Sequence, residues 1–423
     1  MSILNYRPDG TLSTTYKSSA GDNFTTIARK VYGDEAQAAH IKSANPGLTE
    51  PFQAGVTLTT PPQPGAPQNA VQHTAAAQPN EVAVLINGQR FRFWESVRLV
   101  RNIDTFDTLE LSAPFEPDNE VFKAAFKPFA FQRVEVTVGG VPLFTGTMVG
   151  VTPHLENTRR SVTASCYALP GVLNDCTVPA SLFEKLDFKD AGLNEIATTL
   201  VKPFGLNVVF QAEQGAVFEH VTLEQDQKVF GFLATLAKQR NLVISSTPQG
   251  ELLFWRSTST GQAVARLQEG LSPLLSIQPA FSPQEYYSHV TGIEPVIIGG
   301  LGSQYTVSNP SLQGVIRPLT FVVPDTRDTS VKTAVESKAG RMFANQVSYT
   351  VNVSAWRDQH GQLWTPNTFI KLNAPGAMVY HDYDFIIRSV EFNRHAKAES
   401  ATLNLVLPGA FEGQIPEVLP WQD

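Results

Sequence analysis

The feature that most constrains the fold is a strand–turn–strand pattern in RVEVTVGGVPLFTG, residues 133–146. Val134, Val136 and Val138 alternate with polar residues, and Gly139-Gly140 follows directly. Alternation places every second side chain on one face of a strand. A Gly-Gly pair permits the tight turn that joins two antiparallel strands. The segment therefore predicts a β-hairpin with one buried face.

The same pattern recurs on either side of this hairpin. Residues 82–86 alternate and are followed by Asn87-Gly88, the strongest short hairpin signal. RSVTASCYA alternates again through Val162, Ala164 and Cys166. A composition with 29 Gly and 26 Phe agrees with many turns and many strands. These strands predict a first antiparallel β domain, a small barrel or sandwich, over residues 81–176.

The periodicity changes after this region. DAGLNEIATTLVKPFG (190–205) has helical spacing, and a second helix is expected from Asp226, its predicted cap, to about residue 241. A hairpin around Pro248–Gly250 completes a predicted α+β domain over 177–262. Residues 263–423 are again mostly β, with alternation in SYTVNVSAW and one helix near 328–345.

The first 60 residues form a separate predicted unit. Phe24, Ile27, Ala28 and Val31 lie on one face of a helix that Asp22 or Asn23 can cap. A second helix over about 35–44 ends at ANPG, because proline cannot continue a helix. STTYKS and VTLTT are the flanking strands of this β-α-α-β unit. The Pro-, Gln- and Ala-rich residues 61–80 are interpreted as a linker.

Composition excludes several classes of function. A net charge of -7 argues against general nucleic-acid binding, which needs a basic surface. Two cysteines, Cys166 and Cys176, are too few for a secreted disulfide framework. They are predicted to be reduced, and a bond between them is the alternative. MSILNYRPDG lacks the apolar core of a secretory signal, and no stretch is long enough to span a membrane. A protein made in the cytoplasm, without a cleaved signal, is expected.

The sequence predicts no catalytic residue, no cofactor and no metal site. Nucleophile-elbow and phosphate-loop motifs are absent, and GGLG (299–302) lacks the following helix of a dinucleotide site. His381, Asp382 and Asp384 in YHDYD are either metal ligands or part of a tight turn, and the turn is favoured. The aromatic side chains of FRFW (91–94), Trp356 and Trp364 are either sugar-stacking platforms or packing residues, and packing is favoured.

The N-terminal unit resembles the LysM domain. The match consists of Gly21-Asp22, Ile27-Ala28, Gly33, Ile41-x-x-Ala44-Asn45-Pro46, Leu48, Gly55, Leu58 and Pro61. The resemblance implies a shallow groove that binds N-acetylglucosamine chains, or docks a protein, between the loops on either side of the helix pair. The groove residues it implies are Gly21, Asp22, Asn23, Phe24, Asn45, Pro46, Gly47 and Leu48. Asn23 stands where the family usually has Thr, which weakens the sugar-binding expectation.

Most of residues 81–412 resembles the baseplate hub proteins of contractile phage tails, the Mu-like tail protein family. The likeness lies in residues 81–117, in WRDQHGQLWTPN (356–367) and in IRSVEFNRHAKAESATLNLVLPGAF (387–411). The resemblance implies a multidomain, mainly β fold. It combines the LysM-like unit, two antiparallel β-barrels like tail-tube subunits, and an α+β insert.

The same resemblance implies a structural protein of the virion baseplate. It implies a homotrimer that matches the sixfold tail tube to a threefold spike, assembled in the host cytoplasm. Expected partners are the spike protein, the tail tube protein, wedge or sheath-initiator proteins and the tape-measure protein, with DNA passing through the lumen. The LysM-like unit would be a docking arm for neighbouring baseplate components.

Two alternatives stay open. The first is a peptidoglycan-binding protein in which the LysM-like unit binds the cell wall and the β region only carries it. The missing export signal counts against this alternative. The second is a tail-associated cell-wall hydrolase, against which the missing catalytic acids and metal ligands count. Peptidoglycan binding is therefore the weaker expectation for the LysM-like unit, and a membrane-embedded protein is not expected.

Overall fold

The computed structural model describes residues 15–32, 35–60, 80–157, 159–257, 260–294, 302–309, 311–312, 314–323, 330–395, 398–408, 411 and 418–422. The chain divides into two compact units. The first contains residues 1–81 with 88–90, and the second contains 82–87 with 91–423. Within the described part of the chain, no helix combines the length and apolar character needed to cross a bilayer.

The first unit has the predicted β-α-α-β order. Strands β1 (Thr15–Lys17) and β2 (Thr57–Thr59) pair antiparallel around helices α1 (Phe24–Tyr32) and α2 (Ala38–Ser43). A 3-10 turn at Glu35–Gln37 precedes α2. Its core contains Phe24, Ile27, Ala28, Ile41, Phe52 and Leu58, all buried. Gly33, most of the 61–80 linker and the first three residues of GGLG lie outside the described residues.

The second unit is built on a 13-stranded sheet. Its first strands are β3 (Val82–Ile86), β4 (Gln89–Phe91), β5 (Ser96–Asn102), β6 (Thr108–Pro114), β7 (Arg133–Val138), β8 (Val141–Leu155) and β9 (Arg160–Ala168). Helix α3 (Glu120–Ala125) precedes β7. Asn87, Gly88, Gly139 and Gly140 all have positive φ, so both predicted hairpin turns are confirmed.

The α+β part follows β9. It contains the short helix α4 (Val172–Asp175), helices α5 (Leu193–Val201) and α6 (Val229–Gln239), and strands β10 (Asp187–Ala191), β11 (Val208–Phe210), β12 (Phe218–Thr222), β13 (Val243–Ser246) and β14 (Leu252–Trp255). Both predicted helices are present. The predicted Asp226 cap is wrong, because the N-cap position of α6 is Lys228 and carries no side-chain cap. The helix begins two residues later than a cap at Asp226 requires.

The rest of the chain returns to the large sheet. Its remaining strands are β15 (Ala263–Gln268), β16 (Leu274–Phe281), β20 (Val347–Val353), β21 (Phe369–Ala374), β22 (Val379–His395) and β23 (Ala398–Val406). Between β16 and β20 lies a smaller three-stranded sheet of β17 (His289–Ile293), β18 (Gln304–Ser308) and β19 (Pro318–Val322). Helix α7 (Val331–Gln346) packs on it through Val331, Val335 and Ala339.

One long strand joins the two β regions. Residues 389–395 of β22 pair antiparallel with 96–102 of β5, while its earlier half pairs with β21. The main path through the sheet is β16-β20-β23-β22-β5-β6-β9-β8-β7-β3-β4. Among the described residues, no ring of pairings closes either region into a barrel. The prediction of a mainly β fold is confirmed, whereas the two separate barrels are not.

Candidate docking site

The first loop of the N-terminal unit is ordered by its own polar groups. Asn23 Oδ1 accepts from the Thr26 N–H at 2.8 Å, and Thr26 Oγ1 accepts from the Asn23 N–H at 2.8 Å. This reciprocal pair satisfies two backbone donors at the start of α1. Asn23, rather than Asp22, is therefore the cap. Gly21 has φ +86°, a conformation that favours glycine, and donates its N–H to Phe52 O at 3.0 Å.

Asp22 is a buried carboxylate within this loop. It lies 2.7 Å from Lys30 Nζ and also accepts from the Tyr16 hydroxyl and the Ser19 N–H. Burial alone would raise the pKa of Asp22. The hydrogen bonds from Lys30, Ser19 and Tyr16 outweigh burial and hold that pKa below its usual value. Its oxygens are therefore committed to the unit itself.

The second loop is organised by the amide of Asn45, which is 9% exposed. Asn45 Nδ2 donates to Ile41 O at 2.7 Å and to Thr59 O at 2.6 Å, and Oδ1 accepts from the Thr59 N–H at 2.7 Å. These bonds tie the end of α2 to β2. Gly47 has φ +95°, which completes the turn.

The structure brings the two loops together through the segment that follows the second one. The Phe52 N–H donates to Asp22 O at 2.7 Å, and the Phe24 N–H donates to the Glu50 carboxylate. The rings of Phe24 and Phe52 meet edge-to-face with centroids 4.9 Å apart. Glu50 and Phe52 were not predicted from the sequence, because they lie between the matched positions Leu48 and Gly55 and are not part of the pattern.

The predicted groove residues therefore divide into two groups. Asp22, Phe24 and Asn45 are buried. Gly21, Pro46 and Gly47 are exposed, and Asn23 and Leu48 are half-buried. The exposed group consists mostly of backbone and apolar surface. These residues offer few side-chain hydrogen-bond donors to a sugar, and the amide of Asn23 is the main donor among them.

In the second unit, YHDYD lies in strand β22, so the favoured tight turn is wrong. Asp382 accepts two hydrogen bonds from Arg266, at 2.9 and 3.0 Å, and Asp384 lies 2.9 Å from Lys371. Cross-strand ion pairing thus accounts for the acidic residues. In the described ranges no group of three or more His, Cys, Asp or Glu side chains is placed to hold a metal.

The aromatic residues considered as sugar platforms are mostly packing residues. Trp356 and Trp364 are each 1% exposed, and their indole N–H groups donate to Ser400 O and Ala355 O at 2.8 Å. Phe91 is buried, whereas Phe93 is 53% exposed. Cys166 and Cys176 are free thiols, as predicted, and burial raises the pKa of Cys166 to about 12.

A turn between β5 and β6, residues 102–107, is the point where three parts of the second unit meet. Ser245 Oγ in β13 donates to Asn102 O at 2.7 Å, and Trp255 Nε1 donates to Ile103 O at 2.7 Å. The guanidinium of Arg388, in β22, lies 3.1 Å from the carboxylate of Asp104. We call residues 102–107 the central turn. It ties the α+β part and the last β region to the first.

Asp107 is the buried acid of the central turn. It is 1% exposed, lies 3.2 Å from Arg101 and accepts from the Asn102 N–H at 3.0 Å. Its own N–H donates to Ser246 Oγ at 3.1 Å. Burial raises the pKa of Asp107 to about 6, against the opposing charge of Arg101. In the sequence, the segment is an ordinary Asn- and Asp-containing turn, so its central position was not predictable.

This fold has close counterparts among phage tail proteins. The structure superposes on the 43 kDa tail protein of prophage MuSo2 from Shewanella oneidensis with a TM-score of 0.68 and 22% identity, over 78% of this chain and 99% of that one. A tail protein from Neisseria meningitidis MC58 gives a TM-score of 0.67 and 19% identity, over 79% and 98% of the two chains. The fold is therefore similar to that of these phage tail proteins.

Comparisons of sequence identify the kind of tail protein that this chain is similar to. Residues 170–256 match the family described as "Baseplate hub protein gp44-like, second domain". The chain is 24% identical over 314 residues to baseplate hub protein gp44 of Escherichia phage Mu, covering 70% of this chain and 79% of gp44. The predicted resemblance to Mu-like hub proteins is thus confirmed. These relatives are structural proteins rather than enzymes, in agreement with the prediction that this chain has no catalytic role.

Proposed function

We propose that the protein is a structural baseplate hub of a contractile phage tail or of a machine derived from one. The observation that carries the proposal is the similarity to Mu gp44, which spans 79% of that hub protein. The matches to two tail protein structures over almost their full lengths support it. In this role the protein is a component of the virion tail.

The hub works as a homotrimer that matches a threefold spike to a sixfold tube. Two β regions in each chain, joined through β22 and β5, provide two tube-like units, and three chains then provide six. Exposed strand edges invite pairing with other chains, and ring closure covers them. Tube, spike, wedge or sheath-initiator and tape-measure proteins are its partners, and DNA passes through the lumen.

The N-terminal unit acts as a LysM-like arm that docks neighbouring baseplate proteins. The order β1-α1-α2-β2 supports the LysM assignment. The burial of Asp22 and Asn45 favours protein docking over sugar binding, because ligand sites need convergent polar groups that remain available. Peptidoglycan binding is the second candidate, supported by the exposed loop residues Pro46 and Gly47.

Light scattering on the full chain, alone and co-expressed with its spike partner, tests the hub proposal. A mass of three chains is expected, and a stable monomer in both samples would refute it. A pull-down on isolated sacculi tests the arm by comparing the full chain with a chain lacking residues 1–60. Weak retention that is equal for the two chains is expected. Strong retention that needs residues 1–60 would favour the peptidoglycan alternative.

A further inference from the structure

A loop after α3 presents two phenylalanines to solvent. Phe129 is 92% exposed and Phe131 is 60% exposed, and their φ angles are +58° and +48°. Side chains of this size rarely adopt left-handed backbone, which costs ~1–2 kcal/mol per residue. We call residues 126–132 the aromatic loop. The exposed rings and the left-handed backbone of this loop are both energetically unfavourable in the isolated chain. Features of this kind are typical of a contact surface.

The aromatic loop is held in place at its C-terminal end. Gln132 Nε2 donates to Ala124 O at 2.8 Å, and Gln132 O accepts from the Met148 N–H at 2.8 Å. The next residue, Arg133, exchanges hydrogen bonds with Asn87 at 2.8 and 3.0 Å. The two rings are thus presented by an anchored loop, so little conformational entropy is lost when they bind.

An apolar pocket lies beside the end of β16. It has a volume of about 250 Å³ and is lined by Phe281, Ser282, Pro283, Tyr286, Gln346, Val347, Met378 and Trp421. Phe281 and Met378, which are 40% and 50% exposed, lie at its surface. A cavity of ~150 Å³ is enough to bind benzene. The pocket therefore has room for one phenylalanine ring.

The loop and the pocket lie toward opposite ends of the same sheet. The loop leads into β7, the third strand from one end, and the pocket adjoins β16, the strand at the other end. Phe129 does not fill the pocket of its own chain, because its side chain is almost fully exposed. A contact between unlike patches of two copies is heterologous, and repeating it closes a ring where the rotation permits.

Charge and area both favour a second copy as the occupant. Lys127 in the loop and Glu285 beside the pocket are exposed. Glu285 accepts a hydrogen bond from Gln346 at 3.3 Å, and neither Lys127 nor Glu285 has an ion-pair partner among the described residues. At ~200 Å² per ring, Phe93, Phe129 and Phe131 expose roughly 400 Å² at the loop end. That is about half of the ~800 Å² that each partner contributes to a stable interface. The open edge of β16, with Leu275 63% exposed, adds further surface.

We propose that the aromatic loop of one chain inserts Phe129 into the pocket beside β16 of the next chain, with Lys127 facing Glu285. The inference rests on the proposed trimeric hub and identifies the contact that holds the trimer. The same contact repeats three times around the ring, and each chain supplies one loop and one pocket.

Phe129→Asp tests the contact, with Leu155→Asp as the matched control. Leu155 is 79% exposed on β8, so both changes place a carboxylate on an exposed apolar side chain. Light scattering of the full chain should give three chains for the wild type and for Leu155→Asp, but one for Phe129→Asp. Circular dichroism checks that the fold of each variant is retained. A Phe129→Asp protein that stays trimeric overturns this inference and leaves the hub proposal standing, whereas a wild type that is monomeric both alone and with the spike partner counts against both.

A cross-linking experiment separates the second-copy occupant from others. In a Cys176→Ser background, one chain carries Phe129→Cys and a second carries Met378→Cys. Mild oxidation should produce linked pairs only when both chains are mixed. Links within the Phe129→Cys sample alone would indicate a symmetric contact and overturn the proposal. Loss of spike binding by Phe129→Asp with an intact trimer would assign the loop to the spike instead.

Discussion

Replacing Asp107 by Asn removes the buried acid of the central turn while keeping its shape. The carboxylate of Asp107 lies against Arg101 and the Asn102 N–H, and its pKa is about 6 because burial disfavours the charged form. In the unfolded chain an Asp titrates near ~3.9. At pH values between these two pKa values, Asp107 is protonated in the folded chain and ionised in the unfolded chain.

The sign and size of the effect follow from proton linkage. The contribution of Asp107 to the free energy of unfolding is fully present below about pH 4 and is lost as the pH rises to about 6. Two pH units at ~1.4 kcal/mol each correspond to about 3 kcal/mol. The amide of Asn does not titrate. The stability difference between wild type and Asp107→Asn should therefore fall by about 3 kcal/mol between pH 3 and pH 7.

Urea unfolding followed by tryptophan fluorescence measures this difference at a series of pH values. All five Trp lie beyond residue 93, so the signal reports the second unit. Asp382→Asn is the control with the opposite sign, because hydrogen bonds from Arg266 hold the pKa of Asp382 below its usual value. Its stabilising contribution is present above about pH 4 and is lost at lower pH. A wild-type minus Asp107→Asn difference that is constant from pH 3 to pH 7 would refute the reasoning.

Three further substitutions test other parts of the structure. Asn45→Ala removes three hydrogen bonds that join α2 to β2, and we expect faster hydrogen exchange across residues 15–60 and a loss of ~1–3 kcal/mol. Trp356→Ala empties a fully buried site and should cost ~3–5 kcal/mol in urea unfolding, whereas Phe93→Ala, at a half-exposed ring, should cost much less. Ser245→Ala leaves Asn102 O without its side-chain donor and should cost ~1–2 kcal/mol in the same assay; no change would argue that the central turn does not fasten the α+β part.

Local patterns predicted local structure well. The hairpin turns at Asn87-Gly88 and Gly139-Gly140 were predictable because the turn residues and the alternating strands are adjacent in the chain. In β20 the predicted alternation becomes strict alternation of burial, with Tyr349, Val351 and Val353 inside. The helices α5 and α6 followed from helical spacing in the same way.

Long-range pairing was not predictable from these patterns. Strands β5 and β22 are almost 300 residues apart, and nothing in either strand identifies the other as its partner. Alternation determines which face of a strand is buried and leaves its neighbour undetermined. The single large sheet, the central turn and the ion pairs of Asp382 and Asp384 all follow from such pairings. The small sheet under α7 was missed for the same reason.

In the N-terminal unit, the residues that carry the LysM resemblance say more about packing than about a ligand. Asp22 and Asn45, which carry much of the LysM resemblance, direct their polar atoms into the unit, where they stabilise the loops. A match at these positions therefore reports how the chain folds. The ligand depends instead on exposed positions such as Pro46 and Gly47, whose backbone and apolar surface suit a protein partner as well as a sugar.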